Sequence, residues 1–409
     1  MTGARPTPPK IPRPHPAPVA RSERVAALER QVSVSSRREA DEVVAGFWAG
    51  VARTPLVERL DGTDELVVTF LWRDGDADQV LLFVNRLTDE RDLAASLMRR
   101  VPGTDVWHLS YRMGPSWRAS YAFLPHRSGE REPWRDASDQ VAIRAALDHG
   151  CADPLNPEVS RNRAGVAQSV AALPSAPAQS WLRRRPGAAR GTVREATEPG
   201  GRRVWLYEPP GLRAGERVPL VVALDGEVWT GPQDLPATLD ALLDDGAIRP
   251  LCAVLVDSGG RENRWAELDQ RADLRDHLAT DLLDWARSVL PVGPDRSDVT
   301  VVGQSLGALT ALWALVRHPD RIGSVVSQSA SLWQDEILTA LPSADLAGTR
   351  AWVEVGRQEW VLQPRHPAAV GLLRDAGCDV AYTEFDGGHD YACWRGGIAD
   401  ALRHLHPNG

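Results

Sequence analysis

Cysteine is scarce in this chain: Cys151, Cys252, Cys378 and Cys393 stand far apart in 409 residues and make no CxxC pair and no His-rich spacing. Neither a disulfide framework nor a zinc site is signalled, and four reduced thiols fit a cytoplasmic protein. An uninterrupted apolar run of about 18 residues is also lacking, so no transmembrane helix and no membrane partner are expected. The stretch Met1 to Arg24 is rich in Pro, Arg and Ala but has no continuous apolar centre such as a secretory signal needs. It reads as a disordered tail. An excess of positive charge is missing too: the net charge of -8 argues against general nucleic-acid binding, which needs a basic face. An anionic ligand would therefore need a local cluster of arginines. No internal repeat is visible.

The chain is too long for one ordinary core, and two globular units with some tail are expected. Val25 to Gly50 reads as helical, with polar residues interleaved among Val25, Leu28, Val32, Val43, Val44 and Phe47. From Leu56 to about Pro125 the pattern changes to short β-type runs: Leu66 to Trp72, Gln79 to Val84, Val106 to Tyr111 and Ala119 to Phe123, punctuated by Asp74-Gly75, Pro102-Gly103 and Gly114-Pro115. Such runs predict a small all-β sandwich of the immunoglobulin-like type. The Ala, Pro, Arg and Gly that crowd Asn162 to Arg194 mark a linker. From Gly201 onward, apolar runs (Pro219 to Leu224, Leu251 to Val256, Val299 to Val302, Trp352 to Val355, Val380 to Phe385) alternate with helical stretches. That alternation predicts a mostly parallel sheet with helices on both faces. The expected division is a tail over 1–24, a helix plus β-sandwich domain over 25–160, a linker over 161–198 and a catalytic domain over 199–409.

Val299 to Leu309 reads as an apolar run, then Gly303-Gln304-Ser305-Leu306-Gly307, then an apolar helix. This is the context of a nucleophile elbow, where the serine occupies a strained strand-to-helix turn and glycines admit close backbone approach. A serine hydroxyl needs a base to take its proton. Asp386-Gly387-Gly388-His389-Asp390 follows the run Val380 to Phe385, in the Ser, acid, His order of α/β-hydrolases, and makes His389 the candidate base. His318, His366, His404 and His406 read as solvated residues of helices and the C-terminal tail. For the acid that orients the imidazole, Glu359 stands after the run Trp352 to Val355, where the acid of this fold emerges. Glu354, Asp386 and Asp390 are the other carboxylates in reach, and a Ser-His pair without an acid stays open. The oxyanion needs two backbone N–H groups: Leu306 supplies one, and Gly226 or Glu227, after the strand ending at Leu224, supplies the other.

Over about residues 45 to 405 the chain resembles the enterochelin (enterobactin) esterase family. The resemblance is carried in the first half by Phe47-Trp48, Thr54 to Glu58, Val68 to Arg73, Pro102 to Trp107, Trp117 to Tyr121 and Ala152 to Pro157. In the second half it rests on Leu224-Asp225-Gly226, Gly303 to Gly307, Ser327-Gln328-Ser329, Gly387 to Asp390 and Cys393 to Gly397. It implies Ser305 as nucleophile, His389 as base, Gly226 in the oxyanion hole, Arg264 near the substrate and Trp333 along the pocket. It implies as substrate and partner a ferric catecholate trilactone siderophore, opened in the cytoplasm to release iron. The chain departs from the family pattern with Ala308 where Gly is common and with Gln334 and Asp335 beside Trp333.

The reaction expected is acyl transfer through a Ser305 acyl-enzyme, with no metal or organic cofactor and with iron only as part of the substrate. Two other readings share the residues: a general carboxylesterase or acyltransferase using the same serine, and a non-catalytic siderophore- or glycan-binding protein. The oligomeric state is left open.

Overall fold

In the computed structural model the described residues are 9, 11, 13–15, 17–130, 140–268 and 274–408. They fall into two compact units. The described residues of 13–177 and 386–392 make the first; those of 178–385 and 393–408, with residues 9 and 11, make the second. Among the described residues no helix is long and apolar enough to cross a membrane.

The first unit opens with two helices rather than the single one expected over Val25 to Gly50. Ser22 caps α1 (Glu23–Val34) by accepting the Val25 N–H. Ser36 and Glu39 form a capping box at α2 (Arg37–Ala49), so the chain must break at Ser35-Ser36. Val25, Leu28, Val44 and Trp48 pack with Leu71 and Val106.

Eight strands follow: β1 (Leu56–Arg59), β2 (Leu66–Arg73), β3 (Gln79–Val84), β4 (Arg99–Arg100), β5 (Val106–Met113), β6 (Arg118–His126), β7 (Val159–Arg161) and β8 (Ala167–Ala172), with α3 (Gln140–Asp148) between β6 and β7. They form two antiparallel sheets, ordered β1-β2-β5-β4 and β3-β6-β8-β7. Alternate residues of both, including Val68, Phe70, Leu82, Tyr111, Tyr121 and Phe123, share one apolar cluster. Ile143 and Leu147 of α3 cover Leu81 and Leu124, so the unit is not purely β. The buried Tyr121 hydroxyl is held by Asp153 at 2.8 Å and by Asn156 at 3.0 Å. That is the structural use of Ala152 to Pro157.

Two expected boundaries are corrected. Residues 1–8, 10, 12 and 16 of the expected tail lie outside the described residues, but its later part is placed: the Ala20 N–H donates to the Ser110 carbonyl and the Arg112 N–H to the Pro18 carbonyl, beside β5. The stretch expected as linker over 161–198 contains β8, a strand of the first unit, and β9 (Thr192–Thr197), an edge strand of the second. What lies between is fastened: Arg184 donates to Asp240 at 2.6 Å and Trp181 to Asp245 at 2.6 Å.

The second unit is built on an eight-stranded mixed sheet. After β9 come β10 (Arg203–Glu208), β11 (Leu220–Leu224), α4 (Gly226–Thr230), α5 (Leu235–Asp244), β12 (Cys252–Val256), α6 (Arg261–Leu268), α7 (Leu274–Ala279), α8 (Asp281–Val289), β13 (Val299–Gln304), α9 (Leu306–Arg317), β14 (Ser324–Gln328), α10 (Glu336–Ala340), β15 (Arg350–Gly356), α11 (His366–Asp375), β16 (Asp379–Phe385) and α12 (Tyr391–Leu405). The order is β16-β15-β14-β13-β11-β12-β10-β9, parallel from β16 to β12 and antiparallel at β10 and β9. The central strands are buried along their whole length, as both-face coverage demands. Leu220, Val222 and Leu224 pack with α7, α8 and α9. On the opposite face Tyr207 bonds Asp240 of α5, and the Trp352 ring meets that of His404 of α12 at a tilt of 53°. In parallel sheets of this kind, chemistry gathers at the carboxyl ends of the strands.

Candidate active site

Ser305 sits where β13 ends and α9 begins, with φ 59 and ψ -118. A non-glycine residue with that backbone is strained and is kept there only by its surroundings. A Cβ at Gly303 would overlap the Gly307 carbonyl, so Gly303 is required by contact, whereas a Cβ at Gly307 would make only ordinary contacts, the nearest with Leu224 at 3.5 Å. Ser305 is pinned by three backbone bonds: its N–H donates to the Gln328 carbonyl at 3.0 Å, and its carbonyl accepts from Leu309 and Ser331. The Ser331 hydroxyl lies 3.2 Å from Ser305 Oγ. Nothing in the sequence pattern singled out Ser331.

Strands β11 and β13 are parallel neighbours, with Ala223 opposite Val302, so the turns that leave them run side by side. Asp225 adopts a left-handed backbone (φ 59), and Gly226 and Glu227 open α4. Gly226 presses on β12: a Cβ there would come within 2.5 Å of the Leu255 carbonyl carbon. Glu227 is held by the Ser258 hydroxyl at 2.5 Å and the Ser258 N–H at 3.0 Å. Gly226, Glu227 and Leu306 thus stand at helix N-termini beside the elbow, with N–H groups of the kind an oxyanion needs.

Arg264, which the resemblance places near the substrate, makes a bidentate ion pair with buried Asp225, at 2.6 and 2.8 Å, and reaches the Gln304 carbonyl at 3.3 Å. Trp333 lies in the turn after Ser331 and packs against the core of the second unit.

Glu359 is buried just past β15 and accepts from the Ser329 hydroxyl at 2.5 Å and the Gly356 N–H at 2.9 Å. Ser329 has a left-handed backbone and also accepts the Trp394 indole N–H at 2.9 Å. Glu354 faces the other way. It ends a buried ladder in which Trp229 donates to Gln304, Gln304 to Gln328 and Gln328 to Glu354, at 2.7 to 2.8 Å, with Trp352 donating to the same carboxyl. Burial pushes the Glu354 carboxyl up to about 7. This ladder braces β13, β14 and β15 under the elbow.

His389 follows the end of β16 by four residues, and its segment, 386–392, groups with the first unit rather than with the domain expected over 199–409. Asp386 accepts from the Ser116 hydroxyl at 3.0 Å. Asp390 accepts the Ser120 N–H at 2.6 Å and the Ala392 N–H at 2.9 Å. Of the four histidines expected to be solvated, His318 pairs with Asp276 and His404 lies against Trp352. His366 and His406 are instead buried: His366 Nδ1 lies 2.9 Å from the Leu362 carbonyl, and His406 bonds Thr300 at 2.8 Å with its imidazole pushed down to about 3 by burial.

Residues 67–182 match the model of the enterochelin esterase N-terminal domain, and residues 198–405 match that of a putative esterase. An iron(III) enterobactin esterase of Dickeya dadantii (strain 3937) is 33% identical, over 88% of this chain and 92% of its own. The chain belongs to the iron(III) enterobactin esterase family. Among solved members, the ferric enterobactin esterase of Salmonella typhimurium superposes with a TM-score of 0.76 at 29% identity, covering 88% of this chain and 98% of that one. The Shigella flexneri enterobactin esterase crystallised in the presence of enterobactin gives 0.73 at 28%, over 88% and 97%. The two family-model matches lie either side of the fastened segment that carries Arg184 and Arg185.

Proposed function

We propose that this protein hydrolyses the ester bonds of a ferric catecholate trilactone siderophore of the enterobactin type, releasing iron in the cytoplasm. The observation that carries the reading is the strained Ser305 elbow beside the Asp225-Gly226 turn, in a chain matched to enterobactin esterases across both its units. His389 takes the Ser305 proton as Oγ bonds to the lactone carbonyl carbon. The resulting oxyanion is met by N–H groups of Leu306 and of Gly226 or Glu227, each such donor being worth about a hundredfold or more in rate. Collapse breaks the ester C–O bond, and the leaving serine oxygen of the substrate takes the proton from His389. Water, deprotonated by the same imidazole, then frees Ser305. Glu359 is assigned the role of orienting the imidazole.

Trp333 offers an aromatic face to a catechol, and Arg264 serves the anionic substrate at one remove, by fixing the Asp225 turn. The two sheets of the first unit are read as an immunoglobulin-like sandwich. No resident metal or organic cofactor takes part; the ferric ion is cargo.

A comparison of kcat/KM on ferric enterobactin with that on p-nitrophenyl butyrate tests the substrate class. A strong preference for the siderophore is expected. Equal or better turnover of the simple ester would make the protein a general carboxylesterase.

A further inference from the structure

The histidine segment is fastened inside the first unit by side chains and backbone that no catalytic assignment includes. Asn85, directly after β3, donates its side-chain N–H to the His389 carbonyl at 2.9 Å. The Asn85 backbone N–H donates to the Ser120 carbonyl at 3.0 Å, and the Ser120 N–H donates to the Asp390 carboxylate at 2.6 Å. One paired point between β3 and β6 therefore grips the residue expected to be the base and its successor. Upstream, the Arg118 N–H donates to the Asp386 carbonyl at 3.0 Å, and the Ser116 hydroxyl to its carboxylate at 3.0 Å.

Shape fixes the same segment. Arg86 has a left-handed backbone, φ 62, and lays its side-chain stem on Gly388, where an added Cβ would overlap Arg86 Cγ and come within 2.7 Å of Asn85 Oδ1. A strained non-glycine residue against a glycine that cannot be enlarged, one position before His389, marks a built contact. The segment is thus held at Asp386, Gly388, His389 and Asp390, a hold on nearly every residue that could let the imidazole wander.

We infer that Asn85, backed by the β3–β6 pairing at Ser120, is a positioning residue for the general base. The inference rests on the proposed Ser305–His389 chemistry. A misplacement of about 1 Å in a reacting group costs on the order of a hundredfold in rate, and that is the scale of error the grip prevents.

The test is the rate of Ser305 phosphonylation by a fluorophosphonate, which needs the activated serine but no siderophore, beside kcat and KM on ferric enterobactin. Asn85→Leu keeps the shape and removes the donor. It is expected to slow labelling and lower kcat together by about tenfold to a hundredfold, with KM within about twofold. Ser116→Ala, at a partly exposed site, is expected to give a milder fall, roughly threefold, and keeps the test open if Asn85→Leu folds poorly. Tyr121→Phe cuts the Asp153 and Asn156 bonds deep in the same unit and is expected to lower Tm while leaving the labelling rate unchanged. Wild-type protein that labels normally while both Asn85→Leu and Ser116→Ala label at its rate would overturn the positioning role and leave the esterase reading standing. Wild-type protein that does not label at Ser305 would overturn both.

Discussion

Arg264 and Asp225 form a bidentate ion pair, 2.6 and 2.8 Å, in which the carboxylate is fully buried and the guanidinium nearly so. Asp225 is the left-handed residue that turns the chain from β11 into α4, and the same guanidinium reaches the carbonyl of Gln304, the residue before Ser305. One arginine thus ties together the two turns that are proposed to hold the oxyanion.

Breaking this pair strands a buried charge, at a cost of roughly 3–5 kcal/mol. Arg264→Ala is expected to lower Tm and to reduce kcat on a neutral p-nitrophenyl ester as strongly as on the ferric siderophore. Arg264→Lys is expected to recover little, because an ammonium cannot satisfy both carboxylate oxygens in one plane. A loss confined to KM for the anionic substrate would mean that Arg264 binds substrate directly.

Gly226→Ala drives a methyl group into the β12 backbone, so the turn must shift. A fall of about 10²–10³ in kcat is expected, the usual cost of losing one oxyanion donor. Circular dichroism beside steady-state kinetics checks that the fold survives.

Glu359→Gln keeps the bonds from Ser329 or Gly356 in part but removes the charge. A loss of about 10²–10⁴ in kcat is expected if this carboxylate orients the imidazole. Ser329→Ala, which leaves the carboxylate in place, is expected to cost no more than roughly tenfold. Near-wild-type activity of Glu359→Gln would remove it from the mechanism.

Two buried groups under the sheet give opposite pH dependences. Glu354 titrates near 7 in the fold instead of its ordinary 4.5, so its contribution to stability is complete below about 4.5 and is lost as pH rises through 7, a change of about 3 kcal/mol. His406, pushed down to about 3 from 6.5, contributes fully above 6.5 and loses that contribution as pH falls toward 3. Denaturant titrations across pH 3 to 8 are expected to show a flatter dependence between 4.5 and 7 in Glu354→Gln, and between 3 and 6.5 in His406→Gln. Unchanged slopes would contradict the assigned shifts.

The parts that could be read in the sequence are those written in local pattern. The β-branched and aromatic runs Leu66 to Trp72 and Ala119 to Phe123 announce strands, and Gly303 to Gly307 carries the elbow in five residues. Strand β8 was hidden because Ala167-Gln168-Ser169-Val170-Ala171-Ala172 is built of small residues with weak strand preference, and it is held by pairing with β6. The bonds that organise the site join residues far apart in the chain. Arg264 meets Asp225 across 39 positions, Asn85 meets His389 across 304, and the Gln304–Gln328–Glu354 ladder exists only once the register of three strands is known. Burial of His366 and His406 is likewise a tertiary fact that their helical and terminal positions do not announce.

The central claim is tested most directly by a time course of ferric and iron-free enterobactin with purified protein, resolved by liquid chromatography, beside Ser305→Ala. Conversion to linear trimer, dimer and monomer that disappears in the variant is the predicted result. No conversion by a folded wild-type protein, or equal conversion by Ser305→Ala, would contradict it.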